Sequence, residues 1–263
     1  MKIFDCFSYW DEDLLLDLRL NILNDFVDFF VIVEGNKTWQ NNPKEFRFEL
    51  NNFAKFKEKI IYIKVEDLPD GDNPYLRENF QRNCISRGIN NSSEDDLIMI
   101  SDLDEIPNPQ SISSFNKNMR YAVFKQKHFY YKINLQSQKN PFWYGSRICV
   151  LKYLKSPQWL RNIKTKKRPF WKFYKPKEPQ LIFDGGWHFS FLKKPKDIAS
   201  KIKSYSHQEF NKDDFTNEKQ IAERIKNEQD LFNRNIKYKK IEIDESFPKY
   251  ILENKTMFKE WII

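Results

Sequence analysis

Residues 95–107 read Asp-Asp-Leu-Ile-Met-Ile-Ser-Asp-Leu-Asp-Glu-Ile-Pro. An unbroken apolar run, Leu97 to Ile100, stops at Ser101, and Asp102, Asp104 and Glu105 follow before Pro107. A short run that is apolar throughout, rather than at alternate positions, predicts a strand covered on both faces, as in a parallel sheet. Open α/β sheets bind ligands beyond the carboxyl ends of their strands. Asp102 and Asp104 are two residues apart, so on extended backbone they point to one side with Leu103 opposite. Two carboxylates there make a hard, oxygen-rich site suited to Mg2+ or Mn2+ with a diphosphate as co-ligand.

Two other readings of these acids stay open. One is a solvated acidic turn at a strand end. The other is the nucleophile of a haloacid dehalogenase-type aspartyl-phosphate phosphatase, with Asp102 phosphorylated. That motif normally opens a chain and continues with Gly-Thr or Val, whereas here it lies mid-chain and continues Glu-Ile-Pro.

Upstream, residues 2–7 predict a first strand. Asp11, Glu12 and Asp13 start an acidic helix in which Leu15, Leu18 and Ile22 recur at helical spacing. Residues 29–33 predict a second strand ending in Glu34-Gly35-Asn36, a second candidate ligand edge. Residues 51–59 predict a helix and 60–65 a third strand. A helix over 75–89 carries Phe80, Cys84, Ile85 and Ile89 on one face and Arg77, Glu78, Arg82 and Asn83 elsewhere. Glu78 and Arg82 can simply pair on the surface. Alternatively Arg77 or Arg82 reaches phosphates and Asn83 positions the Asp102 strand. The order β-α-β-α-β-α-β argues for right-handed crossovers and a doubly wound, mostly parallel sheet.

The second half is aromatic and partly alternating, which predicts strands over 121–135, as a hairpin, and over 147–151. Residues 159–177 mix Lys and Arg with Phe170, Trp171, Phe173 and Tyr174. That stretch suits a solvated loop, an anionic acceptor or peripheral contact with a membrane surface. In Asp184-Gly185-Gly186-Trp187-His188, the paired glycines permit close backbone approach to a ligand. His188 is read as a core residue or as a metal or substrate contact. His207 ends a helix that begins at Pro195, where a histidine is favourable on dipole grounds alone. Residues 217–233 predict a last amphipathic helix.

Composition narrows the class. The 263 residues include 16% aromatics and 40% hydrophobics, enough for one large globular domain, and only 6 Gly, with no linker tract. A net charge of +8 suits anionic ligands without choosing among them. Three scattered cysteines form neither a zinc pattern nor a disulfide framework, and no signal peptide or membrane span is visible, so a cytoplasmic location is expected.

Seven stretches, in order, resemble glycosyltransferase family 17: IFDCFSYWDE, VIVEGNKTW, RENFQRNCISRGI, DLIMISDLDEIP, DGGWHFSFL, KIKSYSHQEF and FPKYILEN. The resemblance covers nearly the whole chain. It implies a GT-A-like α/β fold with a partly antiparallel C-terminal half, a nucleotide-sugar-binding half (1–110) and an acceptor-binding half (111–263) of a single domain. It also implies a UDP-sugar donor, N-acetylglucosamine by analogy, a glycan acceptor (anionic or lipid-linked), inversion and a divalent metal, Mn2+ or Mg2+. The family's metal-binding Asp-x-Asp matches Asp102 and Asp104, with His188 and then His207 as candidates for a further ligand. Glu34, Arg82 and Asn83 match positions expected near the nucleotide, with Arg77 beside them. The expected catalytic base is Asp184, followed by Glu209 and Glu105. The family's animal members carry a membrane anchor not seen here, so a microbial or viral surface glycan is expected rather than a secretory N-glycan, with no role for nucleic acid. A non-catalytic, basic glycan- or membrane-binding protein is the remaining alternative.

Overall fold

The computed structural model describes residues 1–165 and 178–263. Four parallel strands form its N-terminal half: β1 (Ile3–Ser8), β2 (Phe29–Gly35), β3 (Ile60–Val65) and β4 (Leu97–Asp102), in the order β3-β2-β1-β4. Their connections are α1 (Asp13–Leu23), a 3-10 helix (Leu50–Lys59), and α2 (Pro74–Asn83) with α3 (Ile85–Gly88). The apolar run predicted as a doubly covered strand is β4, and Leu97 to Ile100 are all buried. Leu15, Leu16, Leu18, Phe53 and Phe56 pack on one face of the sheet, and Ile85 and Ile89 on the other.

Two helices differ from expectation. The helix predicted over 75–89 breaks at Cys84, which caps α2 and begins α3. Residues 51–59 form a 3-10 helix interrupted at Phe53. The face of α2 expected to be polar and solvated is buried at Arg77, Gln81 and Arg82, because loops and the site cover it.

After β4 the chain turns at Leu103-Asp104 into β5 (Glu105–Pro107) and then α4 (Pro109–Ile112). β6 (Tyr121–Tyr130) and β7 (Leu135–Ser137) form the expected hairpin, and β8 (Phe142–Val150) runs antiparallel to both β4 and β6. Through β8 one sheet spans both halves of the chain. α5 (Pro157–Arg161) follows; the rest of the basic aromatic stretch, residues 166–177, lies outside the described residues, and with it most of the expected membrane-contacting segment. β9 (Gln180–Ile182) and β10 (Gly186–Ser190) pair parallel with β6, and β10 pairs antiparallel with β5. The paired glycines are explained by this packing rather than by a ligand. Gly186 has φ +121°, and a Cβ there would lie 2.1 Å from the Ile106 carbonyl oxygen on β5.

α6 (Pro195–Ser204), α7 (Asp213–Thr216), α8 (Glu218–Lys226) and β11 (Tyr238–Lys240) complete a smaller aromatic core. The last predicted helix is shorter than expected, ending at Lys226, and Phe232 is buried from the loop after it. α9 (Lys249–Glu253) returns the tail to α1, where Tyr250 donates to Asp17 over 3.0 Å. All three cysteines are buried and free. No helix among the described residues is long and apolar enough to cross a membrane.

Candidate active site

A cleft of about 300 Å³ opens at the carboxyl ends of β1 and β4, where open α/β sheets bind ligands. Ser8 and Asp102 sit level in the ladder, so the segments leaving both strands meet there. Tyr9, Trp10 and Trp39 line one side, with Gln81 and Arg82 from α2. Trp143, His188, Lys201 and His207 line the rest.

Asp102 and Asp104 both face this cleft, by a different route from strand alternation. Asp102 ends β4 and Asp104 sits on the turn that follows. The turn is clasped from beneath by Arg19, which is fully buried. Its guanidinium pairs with both Asp5 carboxylate oxygens, at 2.7 and 2.6 Å. Nη1 donates to the carbonyls of Asp102, Leu103 and Glu105 at 3.2, 3.2 and 2.8 Å.

The two aspartates have different surroundings. Asp102 accepts from Arg82 at 3.0 Å on one oxygen and from Arg161 at 2.6 Å on the other. Burial raises its pKa, but the charges of Arg161 and Arg82 outweigh burial and hold it well below the usual carboxylate range. Asp104 has no such clamp. Its nearest basic partners are His188 Nε2 at 3.5 Å and Lys201 Nζ at 3.7 Å, longer than the ~2.7–2.9 Å of a charge-assisted hydrogen bond. Burial pushes Asp104 up, yet His188 and Lys201 bring it down to about 2, so it is ionised at neutral pH.

Glu105 is the hub beneath them. One oxygen accepts from Trp143 Nε1 and from Arg161, both at 2.6 Å, and the other from the Asp102 backbone amide at 3.0 Å. Gly145 allows this crowding: a Cβ there would lie 2.0 Å from Gln126 Oε1 and 2.9 Å from Glu105 Cδ. Arg161 comes from α5, and Asn83 accepts from the Gln158 amide of that helix at 3.0 Å. Asn83 thus positions the helix that carries Arg161, and through it Asp102.

The other expected residues are placed as follows. Glu34 is buried and accepts from Lys44, the Arg47 and Phe48 amides and the Tyr62 hydroxyl. Its role is to fasten the loop after β2, and it does not line the cleft. Arg77 is buried and donates to the Trp39 carbonyl at 2.7 Å and to the Gly71 carbonyl, so it fixes the loop that carries Trp39. Asp184 is exposed on the turn before β10, with φ +48°, and does not line the cleft. His188 lines the cleft, and its Nδ1 has no hydrogen-bond partner among the described residues. His207 stands at the rim, 2.9 Å from Glu209 and 3.2 Å from the Tyr75 hydroxyl.

Sequence reasoning did not single out Arg19, Trp143, Arg161 or Lys201. Lys201 lies on α6, 3.2 Å from Glu12 and 3.7 Å from Asp104. The Pro195 start and helical spacing of that segment could have placed Lys201 on a helix, but not against β4.

The residues present can be tested against a divalent ion. Among the described residues no group of three or more His, Cys, Asp or Glu is arranged to hold one. Mg2+ and Mn2+ are commonly held by one or two carboxylates, with substrate phosphates and water completing the shell. Asp104, ionised and loosely held, with His188 beside it, fits that mode, and Asp102 is engaged by arginines.

Beneath His188, His128 stacks with ring centroids 4.8 Å apart. Burial, with some help from His188, pushes His128 down to about 3 from an ordinary 6.5. The folded protein therefore keeps it neutral while the unfolded chain takes up a proton. Stability is complete above the unfolded value and is lost as pH falls toward the folded one. In metal-free buffer, urea unfolding free energies are expected to fall below pH 6.5. His128 should contribute a slope approaching about 1.4 kcal/mol per pH unit. The slope should shrink accordingly in His128→Gln.

Comparison with known proteins agrees with the resemblance. The sequence model of glycosyltransferase family 17 matches residues 1–259. Over 104 residues the chain is 35% identical to the beta-1,4-mannosyl-glycoprotein 4-beta-N-acetylglucosaminyltransferases of Homo sapiens and Rattus norvegicus, and 34% identical to that of Mus musculus. Each match covers 35% of this chain and 19% of the relative, so it spans about a fifth of the length of those enzymes. Among solved structures, a glycosyltransferase involved in the glycosylation of the major capsid of PBCV-1 aligns at a TM-score of 0.32 with 13% identity, over 70% of this chain and 81% of the other. With a family match running from the first strand to the C-terminal tail, the chain belongs to glycosyltransferase family 17.

Proposed function

We propose that the chain transfers a sugar from a nucleoside diphosphate donor to a glycan hydroxyl, in one inverting displacement assisted by a divalent metal. The observation that carries this reading is Asp104. It is an ionised, loosely held carboxylate at the carboxyl edge of a parallel sheet, in a cleft that also presents Arg82 and Lys201. Family membership agrees with it and weighs against a phosphatase or a non-catalytic binder. The names of the relatives suggest N-acetylglucosamine as the sugar, and UDP is our proposal for its carrier.

In this reading Trp10 and Trp39 offer ring faces to the base. Arg82 and Lys201 meet the diphosphate, for which arginine's fork is well shaped, while Arg161 stays behind them on Asp102 and Glu105. Asp104 and His188 would hold Mn2+ or Mg2+, with Asp102 joining through water while its own oxygens stay with the arginines. When bound, the metal would supply Lewis-acid stabilisation of the charge on the departing diphosphate. Trp143 walls the sugar side, and the low dielectric of the cleft strengthens each of these contacts. The proton of the attacking hydroxyl must go to a carboxylate on the acceptor side, and we assign this to Glu209, held by His207.

Thermal shift with UDP, GDP and CDP, each with and without Mn2+, tests the reading. One nucleotide is expected to stabilise the protein only with metal, by about 2.7 kcal/mol at a hundred times its Kd. Asp104→Asn should lose the metal-dependent part. No metal-dependent rise with any nucleotide, or a full rise in Asp104→Asn, would overturn it.

A further inference from the structure

The first three residues of β8 break that strand's own pattern. Phe142, Trp143 and Tyr144 are 44%, 40% and 39% exposed, whereas the strand is otherwise buried apart from a half-buried Arg147. Phe183, on the turn before β10, is 64% exposed. The sheet makes these positions one surface. Lys125 is the cross-strand partner of Tyr144, and Lys127 that of Phe142. The Lys125 ammonium lies 4.1 Å from the Phe142 ring centroid and 5.3 Å from that of Phe183. Trp143, between Phe142 and Tyr144, points the other way. It meets His188 at 5.0 Å between centroids and bonds Glu105. The aromatic surface therefore begins at the lip of the cleft.

Among the described residues, packing does not account for these rings, since Phe142, Tyr144 and Phe183 join none of the hydrophobic clusters there. Single exposed apolar side chains are ordinary, but a contiguous group marks a binding surface. Charge selects its occupant. Lys125 and Lys127 share the surface with the exposed carboxylate of Asp184, next to Phe183. An acidic membrane or a polyanion calls for cations of one sign. Ring faces bordered by both donors and acceptors suit a sugar: the C–H face of a pyranose stacks on an aromatic ring, and its hydroxyls exchange hydrogen bonds with ammonium and carboxylate.

We propose that Phe142, Tyr144 and Phe183 form an extended acceptor subsite. The acceptor is then an oligosaccharide whose reacting sugar passes Trp143 into the cleft while its neighbouring sugars lie on this surface. The inference rests on the transferase reading, so its test includes donor binding as a separate readout. The wild type and Phe142→Ala/Phe183→Ala are applied to a broad glycan array, and the best oligosaccharide is titrated calorimetrically against both. Wild type should retain oligosaccharides, and the double variant should bind the best of them at least tenfold more weakly. The nucleotide-and-Mn2+ thermal shift should be equal in both, which also shows that the variant is folded. Tyr144→Ala should weaken binding in the same direction. An empty array, or equal binding by the variants, alongside an intact nucleotide shift overturns the subsite and leaves the transferase reading standing. Binding of wild type to phosphatidylglycerol vesicles that the double variant loses, with no glycan retained, would instead make the surface a membrane contact and overturn the proposal. A missing nucleotide shift in wild type strikes the transferase reading itself.

Discussion

Arg19→Met is expected to destabilise the protein by about 3–5 kcal/mol, the usual cost of breaking a buried ion pair by removing one partner. Arg19 and Asp5 are both fully buried, and the pair is bidentate. Removing the guanidinium leaves the Asp5 carboxylate uncompensated in the core. It also strips a donor from the carbonyls of Asp102, Leu103 and Glu105, of which Glu105 keeps a second bond from Ser146 at 2.9 Å. These losses can be separated. In Arg19→Met/Asp5→Leu no charge remains buried, and urea denaturation should show most of the stability restored. The carbonyls of the turn still lack their donor, so Asp102 and Asp104 remain misplaced and the metal-dependent nucleotide shift should stay weak. If the double variant regains both stability and the nucleotide shift, Arg19 serves the core alone. If it regains neither, the ion pair is not what Arg19 chiefly supplies.

Residues close in sequence were well read from sequence, and residues brought together from far apart were not. The run Leu97 to Ile100 could be recognised as a covered strand because burial on both faces leaves a continuous apolar signature. The parallel order of the first four strands followed from alternating periodicities. The two aspartates of the cleft were found for the same reason, being the first polar residues beyond that strand. Arg19 was hidden inside a leucine-rich helix, where the expected pattern puts charge on the solvent side. Its burial depends on Asp5, 14 residues away, and on carbonyls more than 80 away. Arg161 reaches Asp102 across 59 positions, and no local pattern distinguishes it from the other basic residues around it. Glu34 and Arg77 were expected near the nucleotide, but their bonding capacity is spent on loops. A strand-end carboxylate looks the same in sequence whether it meets a ligand or a loop amide. The Gly185-Gly186 pair misled in the same way: the close approach it permits is to β5, and this removed the reason for placing the catalytic base at Asp184.

The base is where the two readings part most sharply, and Glu209→Gln is expected to lower kcat by about 10²–10⁴-fold, the range for a general base. The carboxylates that line the cleft are each held by cations, whereas Glu209 stands just outside the lining, on the rim beside His207. Asp102 and Glu105 share Arg161, Glu78 pairs with Arg82 at 3.0 Å, and Glu12 lies 3.2 Å from Lys201 and 3.7 Å from Lys193. Asp104 faces His188 and Lys201 and is committed to the donor side. Glu209 is exposed beside the cleft-lining His207, and its ion-pair partner among the described residues is that imidazole alone, whereas Asp104 has Lys201 as well as His188. Its own backbone amide, and then His207, hold its pKa below the ordinary glutamate value. The carboxylate therefore stays ionised as pH falls through that ordinary value, and the acid limb of kcat should lie below it. The limb should vanish from the residual rate of Glu209→Gln. Donor binding, read by the nucleotide shift, should not change, because the base acts on the acceptor. Asp184→Asn is the necessary companion: its kcat at saturating acceptor should stay close to wild type, any loss falling on the KM for the acceptor. The reverse result, a slow Asp184→Asn beside an active Glu209→Gln, would return the base to the turn before β10. It would also require that turn to reach the reacting sugar, a movement that the close packing of Gly186 against Ile106 opposes.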